Sequence, residues 1–455
     1  MEIYEVMVLG AGPGGYLCAE KAAAAGFSTV LFEEEYIGGT CLNVGCIPTK
    51  ALLNSAKIYR HARDGISFGV SAPDIRLDHA LALKHKDDVI RTLVSGVETG
   101  LKKNKVTVVR GHAEIKGKNG SNFEVVCGGQ SYLGRRLVIA TGSETAVPPI
   151  PGLKEGLASG FVVTNKEILS LATLPKRLAV LGGGIIGLEM ASYFLDAGCD
   201  VTIVEMLPKI AGPTDADLSN RLLAEYKKRG IKFMLSTKVT SVEADGLTCE
   251  AGSVSEKIGC DLILLAAGRR AVTKGFGLET LAPAMSRAGI ITNEYTETNV
   301  PGLFAIGDCN GTSMLAHTAY REAETAVELF KGRKVPVRYD CIPSVIYTDP
   351  EIASIGLTKE AALGRGLRVK EVKVPLSYSG RYIAENIKGL GFLKLVVDTD
   401  RNCIVGVHMM GSYASEIIAA AAIIVETELP IERLKQFVFP HPTVSEVLHE
   451  AFNQI

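Results

Sequence analysis

The 455-residue chain has almost no charge excess: 49 lysines and arginines against 50 acids leave a formal net charge of −1. It has no basic run, low-complexity tract or acidic tail, so nothing in its electrostatics argues for nucleic acid or an anionic membrane as partner. Long apolar runs are missing as well. The most membrane-like stretch, Ile417 to Val425, lies between Glu416 and Glu426; it is too short to span a bilayer and predicts a buried helix. The first residues, Met1-Glu2-Ile3-Tyr4-Glu5, lead straight into an expected strand and leave no room for a signal peptide. The 10 cysteines are scattered rather than framed, which fits a reducing compartment and a cytoplasmic location. A zinc site needs two more ligands at suitable spacing beside any cysteine pair, and no second closely spaced pair exists, so no metal is expected.

Glycine is plentiful. The 48 glycines and a hydrophobic content of 47% suit an α/β protein with many tight strand-to-helix turns, and the length predicts two to four domains. Val6-Met7-Val8-Leu9 feeds Gly10-Ala11-Gly12-Pro13-Gly14-Gly15; an alanine-rich helical segment then closes at Gly26, and Thr29-Val30-Leu31-Phe32 ends on Glu33. This is a βαβ dinucleotide fingerprint in its proper context: the glycines allow a tight turn and close backbone approach, the helix N-terminus attracts pyrophosphate, and the acid binds ribose hydroxyls. The pattern returns at a constant offset, with Gly182, Gly184, Gly187, Gly198 and Glu205 matching Gly10, Gly12, Gly15, Gly26 and Glu33. Two copies in register predict two bound dinucleotides. Leu137 to Gly142, Leu262 to Gly268 and Gly302 to Asp308 read as buried strands ending in small-residue turns. From Tyr339 onward the pattern changes to apolar strands and long alanine-rich helices, suggesting a separate domain.

One cysteine pair is close in sequence. Cys41 and Cys46 lie in Gly39-Thr40-Cys41-Leu42-Asn43-Val44-Gly45-Cys46-Ile47-Pro48, just after the first fingerprint and at the expected start of a helix. Beside a dinucleotide the pair reads as redox-active; a metal pair or two buried free thiols are the alternatives. Five residues of ideal helix advance about 7.5 Å, whereas bridged cysteines need Cα atoms about 4.4–6.8 Å apart. A bridge would therefore require a distorted first turn, for which Gly45 and Pro48 are suitable, and such a bridge is easily reduced.

Taken together, the cysteine box, the paired fingerprints, Ala305-Ile306-Gly307-Asp308, Leu315-Ala316-His317 and His441-Pro442-Thr443-Val444-Ser445-Glu446 resemble the flavin-dependent disulfide reductases, the class I pyridine nucleotide-disulfide oxidoreductases. Among these the likeness is to the dihydrolipoamide dehydrogenase family, and it runs end to end. It implies an α/β fold with two Rossmann-like domains, for FAD and NAD, and a C-terminal α+β dimerisation domain. The expected limits are 1–146 for the FAD domain, 147–270 for the NAD domain, 271–338 for a segment returning to the FAD domain, and 339–455 for the interface domain. In that family the first cysteine exchanges with substrate and the second faces the flavin, roles that fall to Cys41 and Cys46. The resemblance implies a catalytic His441 reaching the disulfide of the other subunit, hence a homodimer. Imidazole suits a base that takes a proton from a dithiol near neutral pH, and Glu446 would hold it and stabilise its cation.

The same likeness places Lys50 beside the flavin ring and Glu189 beside the nicotinamide as an ion pair; alone, Glu189 also reads as an acid favoured by a helix N-terminus. Asp308 would meet the ribityl-phosphate region and Glu33 the adenosine ribose. Thr40, Ala113, Thr141, Gly142, Leu315, Ala316, Val239 and Gly268 complete the implied cofactor contacts. His317 opens a helix under the flavin, and Tyr16 lines the cofactor or substrate approach or packs. Glu205 favours NAD, because a carboxylate accepts from a ribose 2′-OH and repels a 2′-phosphate, and Met206-Leu207-Pro208 supplies no arginine.

The family often shows an Asn-Gly-Arg-Ala turn, Gly-Arg-Arg-Pro-Asn, and His-Ala before the histidine. Here Ser379-Gly380-Arg381-Tyr382, Gly268-Arg269-Arg270-Ala271-Val272 and Phe439-Pro440 stand in those places. Mercuric reductases carry a C-terminal cysteine pair that this chain lacks. The implied activity is oxidation of dihydrolipoamide on a separate lipoyl-bearing protein, of a 2-oxoacid dehydrogenase complex or the glycine cleavage system, with NAD⁺ as acceptor. NADH-dependent reduction of another small disulfide, and an assembly subunit with a vestigial disulfide, are the competing readings.

Overall fold

In the computed structural model, which describes residues 3–387 and 389–455, the two fingerprints open two sheets of one plan. Met1 and Glu2, part of the expected approach to the first strand, lie outside the described residues; the strand runs Ile3–Leu9. The first sheet sets Thr107–Arg110, Thr29–Glu33, Ile3–Leu9, Gln130–Ile139 and Leu303–Ala305 side by side and parallel. The second sets Lys232–Met234, Asp200–Val204, Arg177–Leu181, Leu262–Leu265 and Val162–Val163 in the same way. Each carries an antiparallel appendage: Ala113–Asn119 and Asn122–Cys127 on the first half of Gln130–Ile139, and the three-stranded Lys238–Glu243, Gly246–Ala251, Val254–Gly259. The central strands are covered on both faces, so they read as continuous apolar runs rather than alternating ones, and every residue of Thr29–Glu33 is buried.

A two-stranded antiparallel ribbon, Ser143–Thr145 against Arg269–Ala271, marks where the chain leaves the first sheet and returns to it. The Gly-Arg-Arg-Ala-Val segment is thus part of this ribbon. From residue 344 an antiparallel sheet follows, in the order Ser344–Ile346, Ile352–Gly356, Cys403–Met410, Phe392–Asp398, Val369–Pro375. The apolar run expected as a buried helix is Ala414–Thr427, which buries Ile417, Ile418, Ala421, Ile424 and Val425 and leaves Ile423 65% exposed. The expectation of several long alanine-rich helices here is corrected: the other described helices of this region have 4 to 6 residues. Ser379-Gly380-Arg381-Tyr382 is likewise not a turn. Ser379 is the N-cap of the helix Gly380–Glu385, its hydroxyl accepting from the Tyr382 N–H at 3.1 Å.

Buried ion networks join the three sheets. Arg60, 8% exposed, bonds Asp196 of the second fingerprint helix and, at 2.5 Å, Asp349 of the C-terminal region; Arg229 reaches the same Asp196 at 3.0 Å. Removing either partner would strand a buried charge, so these ties hold the sheets in one relative position. Among the described residues no helix is long and apolar enough to cross a membrane.

Candidate active site

The two phosphate loops repeat one construction. A Cβ on Gly10 would lie 2.3 Å from the Ala140 carbonyl oxygen, and one on Gly182 would lie 2.4 Å from that of Ala266. A Cβ on Gly15 or Gly187 would fall 1.8 or 2.2 Å from the carbonyl oxygen of Gly10 or Gly182. These four positions admit only glycine because backbone occupies the space. Gly12 and Gly184 differ: nothing stands within 4 Å of their Cβ positions, which leaves room at the start of the helices Pro13–Ala24 and Ile185–Asp196. Neither helix has a side-chain cap or an acid in its first turn, so its leading N–H groups are free for a phosphate.

The terminal acids also act on their own loops. Glu33 accepts from Ala11 N–H at 2.6 Å and, through its other oxygen, from Glu35 and Tyr36 N–H. Glu205 does the same with Gly183 N–H and Leu207 N–H, both at 2.7 Å. Each carboxylate thereby fixes its glycine loop and keeps lone pairs for a ribose. Beyond Glu205, Met206 and Leu207 are exposed and bring no cation.

Between the two loops sits the thiol pair. Cys41 belongs to the short helix Gly39–Val44 and Cys46 is the first residue of Cys46–Arg63. Two helices therefore stand where one with a distorted first turn was expected, and Gly45 (φ −148°, ψ −111°) makes the break. Continuation through Val44 is impossible in any case: its carbonyl would need the N–H of residue 48, which is proline. Gly39 (φ +56°) brings this segment against the first loop, since a Cβ there would meet Gly12 Cα at 2.5 Å.

Both cysteines are free thiols in the structure, and the Cys41 thiol hydrogen-bonds to Cys46. That bond and the charge of Lys50 pull the exposed Cys46 below the ordinary thiol value, against the charge of Glu189, while the half-buried Cys41 is pushed up by the same bond and by burial. The pair thus sheds its first proton at Cys46, the residue at the helix N-terminus. One turn along, Lys50 Nζ meets Glu189 Oε2 at 2.8 Å and lies 4.5 Å above the Tyr347 ring; the Tyr347 N–H donates to Glu189 Oε1 at 2.9 Å. Glu189, 3% exposed, is the fifth residue of its helix, outside the first turn. The helix-dipole reading of Glu189 is therefore corrected in favour of the ion pair with Lys50. All three sheets contribute to this one contact.

The remaining expected residues are distributed as follows. Asp308 lies in the turn Gly307–Asn310 and accepts from the Ser143 hydroxyl. Thr141 donates to the Val272 carbonyl at 2.7 Å, and the Gly142 carbonyl accepts from the Val272 N–H at 3.0 Å. Thr40 is in the Cys41 helix, Ala113 begins its strand, and Gly268 (φ +115°) precedes the ribbon. Leu315 caps the helix Ala316–Phe330, in which Ala316 is the first residue. The Val239 side chain is 7% exposed and packs in the core of the second sheet. His317 is the second residue of the helix Ala316–Phe330, and its Nε2–H donates to the Pro343 carbonyl at 2.7 Å. Tyr16, 8% exposed, shares a short hydrogen bond with Tyr320, and burial raises the pKa of both phenols.

His441 stands apart from all of these. Its ring is 79% exposed, and its Nδ1 meets Glu446 Oε2 at 2.9 Å. An ionised carboxylate only accepts, so Nδ1 carries the proton and the Nε2 lone pair is free. The loop is held from below by Ser379, whose hydroxyl donates to the Thr443 carbonyl at 2.9 Å. The Ser379 departure is therefore part of the histidine's support.

Comparison with known proteins assigns the arrangement. Residues 4–323 match the pyridine nucleotide-disulphide oxidoreductase family, and residues 342–452 match its dimerisation domain. The chain belongs to the pyridine nucleotide-disulphide oxidoreductases. It is 38% identical to the mitochondrial dihydrolipoyl dehydrogenase of Schizosaccharomyces pombe over 98% of this chain and 89% of that protein. With the dihydrolipoyl dehydrogenase of Cupriavidus necator it shares 34% identity, over 98% of this chain and 97% of that one. Among solved structures, a copper(II) complex of the HOCl-induced flavoprotein disulfide reductase RclA from Escherichia coli superposes with a TM-score of 0.86, at 26% identity over the whole of both chains. LpdA from Mycobacterium tuberculosis shares the fold with a TM-score of 0.90, at 22% identity over 99% of each chain.

As a member of this oxidoreductase family the chain is a flavoprotein enzyme that uses FAD and NAD. The residues present fit both nucleotides: two open glycine positions, two uncapped helix starts and two loop-anchored carboxylates. Several supporting residues escaped the sequence reading. Glu322, 0% exposed, accepts from Gly307 N–H at 2.5 Å, Asn310 Nδ2 at 2.8 Å and Tyr339 Oη at 2.7 Å, so it holds the turn that bears Asp308. Burial raises its carboxyl group above the ordinary range.

His112 is another. Its Nδ1 lies 2.6 Å from Glu34 Oε2 and its Nε2 3.0 Å from the Gly275 carbonyl, two acceptors that only an imidazolium satisfies together. The bond to Glu34 accordingly raises its pKa. A group raised on folding contributes stability that is complete below its unfolded value and lost as pH rises through the folded one. The holoenzyme should thus melt at a higher temperature than His112→Gln below about pH 6.5, with the gap closing as pH rises through the raised value. A gap that widens with pH would contradict the imidazolium assignment.

Proposed function

We propose that the chain is a dihydrolipoyl dehydrogenase acting as a homodimer on a lipoyl group carried by another protein. The observation that carries the proposal is the placement of the thiol pair: Cys46 at a helix start, Cys41 on the short helix just before it, and Lys50, one turn on, tied to Glu189 from the second nucleotide domain. Relatives of that name at 34–38% identity across 98% of the chain support the substrate class. Bound FAD supplies two-electron transfer between the thiols and NAD⁺.

The chain's own residues do the rest. Cys41, paired with Cys46 in the oxidised enzyme, receives the attack of one substrate thiolate and forms a mixed disulfide, releasing Cys46 as thiolate. His441 of the second copy takes the proton of the remaining substrate thiol, whose sulfur then expels Cys41 and closes the substrate disulfide. His441 passes that proton to the displaced Cys41, which ends as a thiol beside the Cys46 thiolate, the distribution that their hydrogen bond and Lys50 favour; the proton of the attacking substrate thiol goes to solvent as that thiol ionises. Glu446 keeps the imidazole in the tautomer that presents Nε2 and stabilises its cation. Lys50 and Glu189 hold the helix of Cys46 against the second domain, and Asp308, fixed by Ser143 and by the turn that Glu322 holds, would bind the ribityl region of FAD.

Anaerobic titration of the yellow protein tests this. Dihydrolipoamide should reduce it to a two-electron state with a long-wavelength thiolate-to-flavin band, and glutathione should not. Reduction by NADH with turnover only on another small disulfide would favour the alternative reductase. No band with any reductant would leave only a vestigial pair in an assembly subunit.

A further inference from the structure

A chain of hydrogen bonds runs from the peptide between the two cysteines to the residue that flanks the flavin site. The Val44 carbonyl has no helical donor because residue 48 is proline, and the Asn165 side chain takes its place, Nδ2 to oxygen, at 2.6 Å. Asn165 is only 8% exposed and is fixed at the start of the helix Asn165–Ile168, whose Thr164 cap and Glu167 form a reciprocal capping box. Its Oδ1 accepts from the Thr145 hydroxyl at 3.0 Å and from Arg269 at 3.4 Å. A carbonyl on one side and a guanidinium on the other leave a single orientation for this amide. Arg269 in turn grips Ser143, at 2.7 Å to its hydroxyl and 2.5 Å to its carbonyl, and that hydroxyl donates to Asp308. Thr145 and Arg269 sit opposite each other in the ribbon, so the clamp is braced by the strands that connect the two nucleotide domains.

Resting on the disulfide reading above, we propose that Asn165 is a positioning residue for the redox pair: it locks the Val44–Gly45 turn so that the two sulfurs interchange between bridge and dithiol without movement of the backbone. The turn needs such a lock. Gly45 is held by no side chain of its own, and a Cβ there would meet the Thr40 carbonyl oxygen at 2.8 Å, so the break cannot be stiffened locally. If the turn loosens, the distance from the Cys41 thiol to Cys46 varies, and with it the hydrogen bond that keeps the thiolate on Cys46.

The test uses the FAD-loaded enzyme reduced by two electrons, with the thiolate band followed against pH. Asn165→Leu, uncharged and of similar volume, loses the donor to Val44 without adding a charge near Cys46. It should move the band upward in pH, lowering the thiolate fraction near neutrality about threefold to tenfold, the range of one lost hydrogen bond. Thr145→Val, which removes one bond to the same amide without touching the turn, should give a smaller shift in the same direction. It decides the matter if Asn165→Leu fails to retain flavin. Profiles that coincide with the unaltered enzyme in the flavin-retaining variants overturn the proposal. A missing band in the unaltered enzyme would instead sink the disulfide reading on which it rests.

Discussion

Cys46→Ser should abolish the long-wavelength absorption of the two-electron-reduced holoenzyme, whereas Cys41→Ser should retain it, and both should reduce dihydrolipoamide oxidation to background. The asymmetry follows from the environment of each sulfur. Cys46 begins an 18-residue helix, has Lys50 one turn away and accepts a hydrogen bond from Cys41, which together lower it below the ordinary thiol value. Its thiolate is therefore favoured over that of Cys41 near neutral pH. Serine at 46 cannot ionise there, so no donor of the band remains. Serine at 41 still offers a hydroxyl hydrogen to Cys46, and the band should persist and titrate near the same pH. Cys41→Ala separates the two effects on Cys46, because it also removes that hydrogen bond and should shift the band to higher pH. A band of unaltered intensity in Cys46→Ser, or none at any pH in Cys41→Ser, would contradict the division of roles.

The repeated fold was legible in the sequence because its decisive constraints are local. Gly10 and Gly182 sit where backbone leaves no room for a side chain, and Gly15 and Gly187 where a Cβ would strike the preceding loop. Those clashes lie within a few residues or at the end of a neighbouring strand, so they leave a glycine pattern at fixed spacing. The constant offset extends even to the acids, since Glu33 and Glu205 bind the N–H that follows the first glycine of each loop. The cysteine box was legible for the same reason: Gly45 and Pro48 break the helix where the pair requires it.

The supports of the site were not legible, because their partners lie far apart in the chain and their residue types are common. Arg60 meets Asp349 across 289 positions and Tyr16 meets Tyr320 across 304. Asn165 reaches Val44 across 121 positions, from a four-residue helix whose only local signal is its capping box. Arg269 was in view, but only as part of a departure from a familiar segment; the ribbon that aims it forms when two distant strands pair. Ser379 was misread as a turn residue because cap and turn share a composition, and its contact with Thr443 decides between them. Glu189 could be read two ways until Lys50 and the Tyr347 amide were found on its two oxygens.

His441→Gln should lower kcat for dihydrolipoamide by about 10²–10⁴-fold, the usual contribution of a positioned proton acceptor, while leaving reduction of the bound flavin by NADH unchanged. Glutamine can still accept a hydrogen bond at this position but cannot carry the proton away, so only the thiol half of the reaction suffers. The same histidine allows the composition of the site to be tested. Its exposed ring touches Glu446 but none of the groups around the cysteines of its own chain. If each site draws its thiols from one copy and its base from the other, a mixed dimer of Cys41→Ser and His441→Gln chains holds one site with both defects and one with neither. Random reassociation of the two inactive variants should then recover about a quarter of the unaltered activity, since half of the dimers are mixed and each has one intact site of two. If thiols and base come from the same chain, every site in every dimer keeps one defect and the mixture stays inactive. The recovered activity should also show the unaltered dependence on dihydrolipoamide concentration, because the intact site contains no substituted residue; a raised KM would place the partner's defect within it.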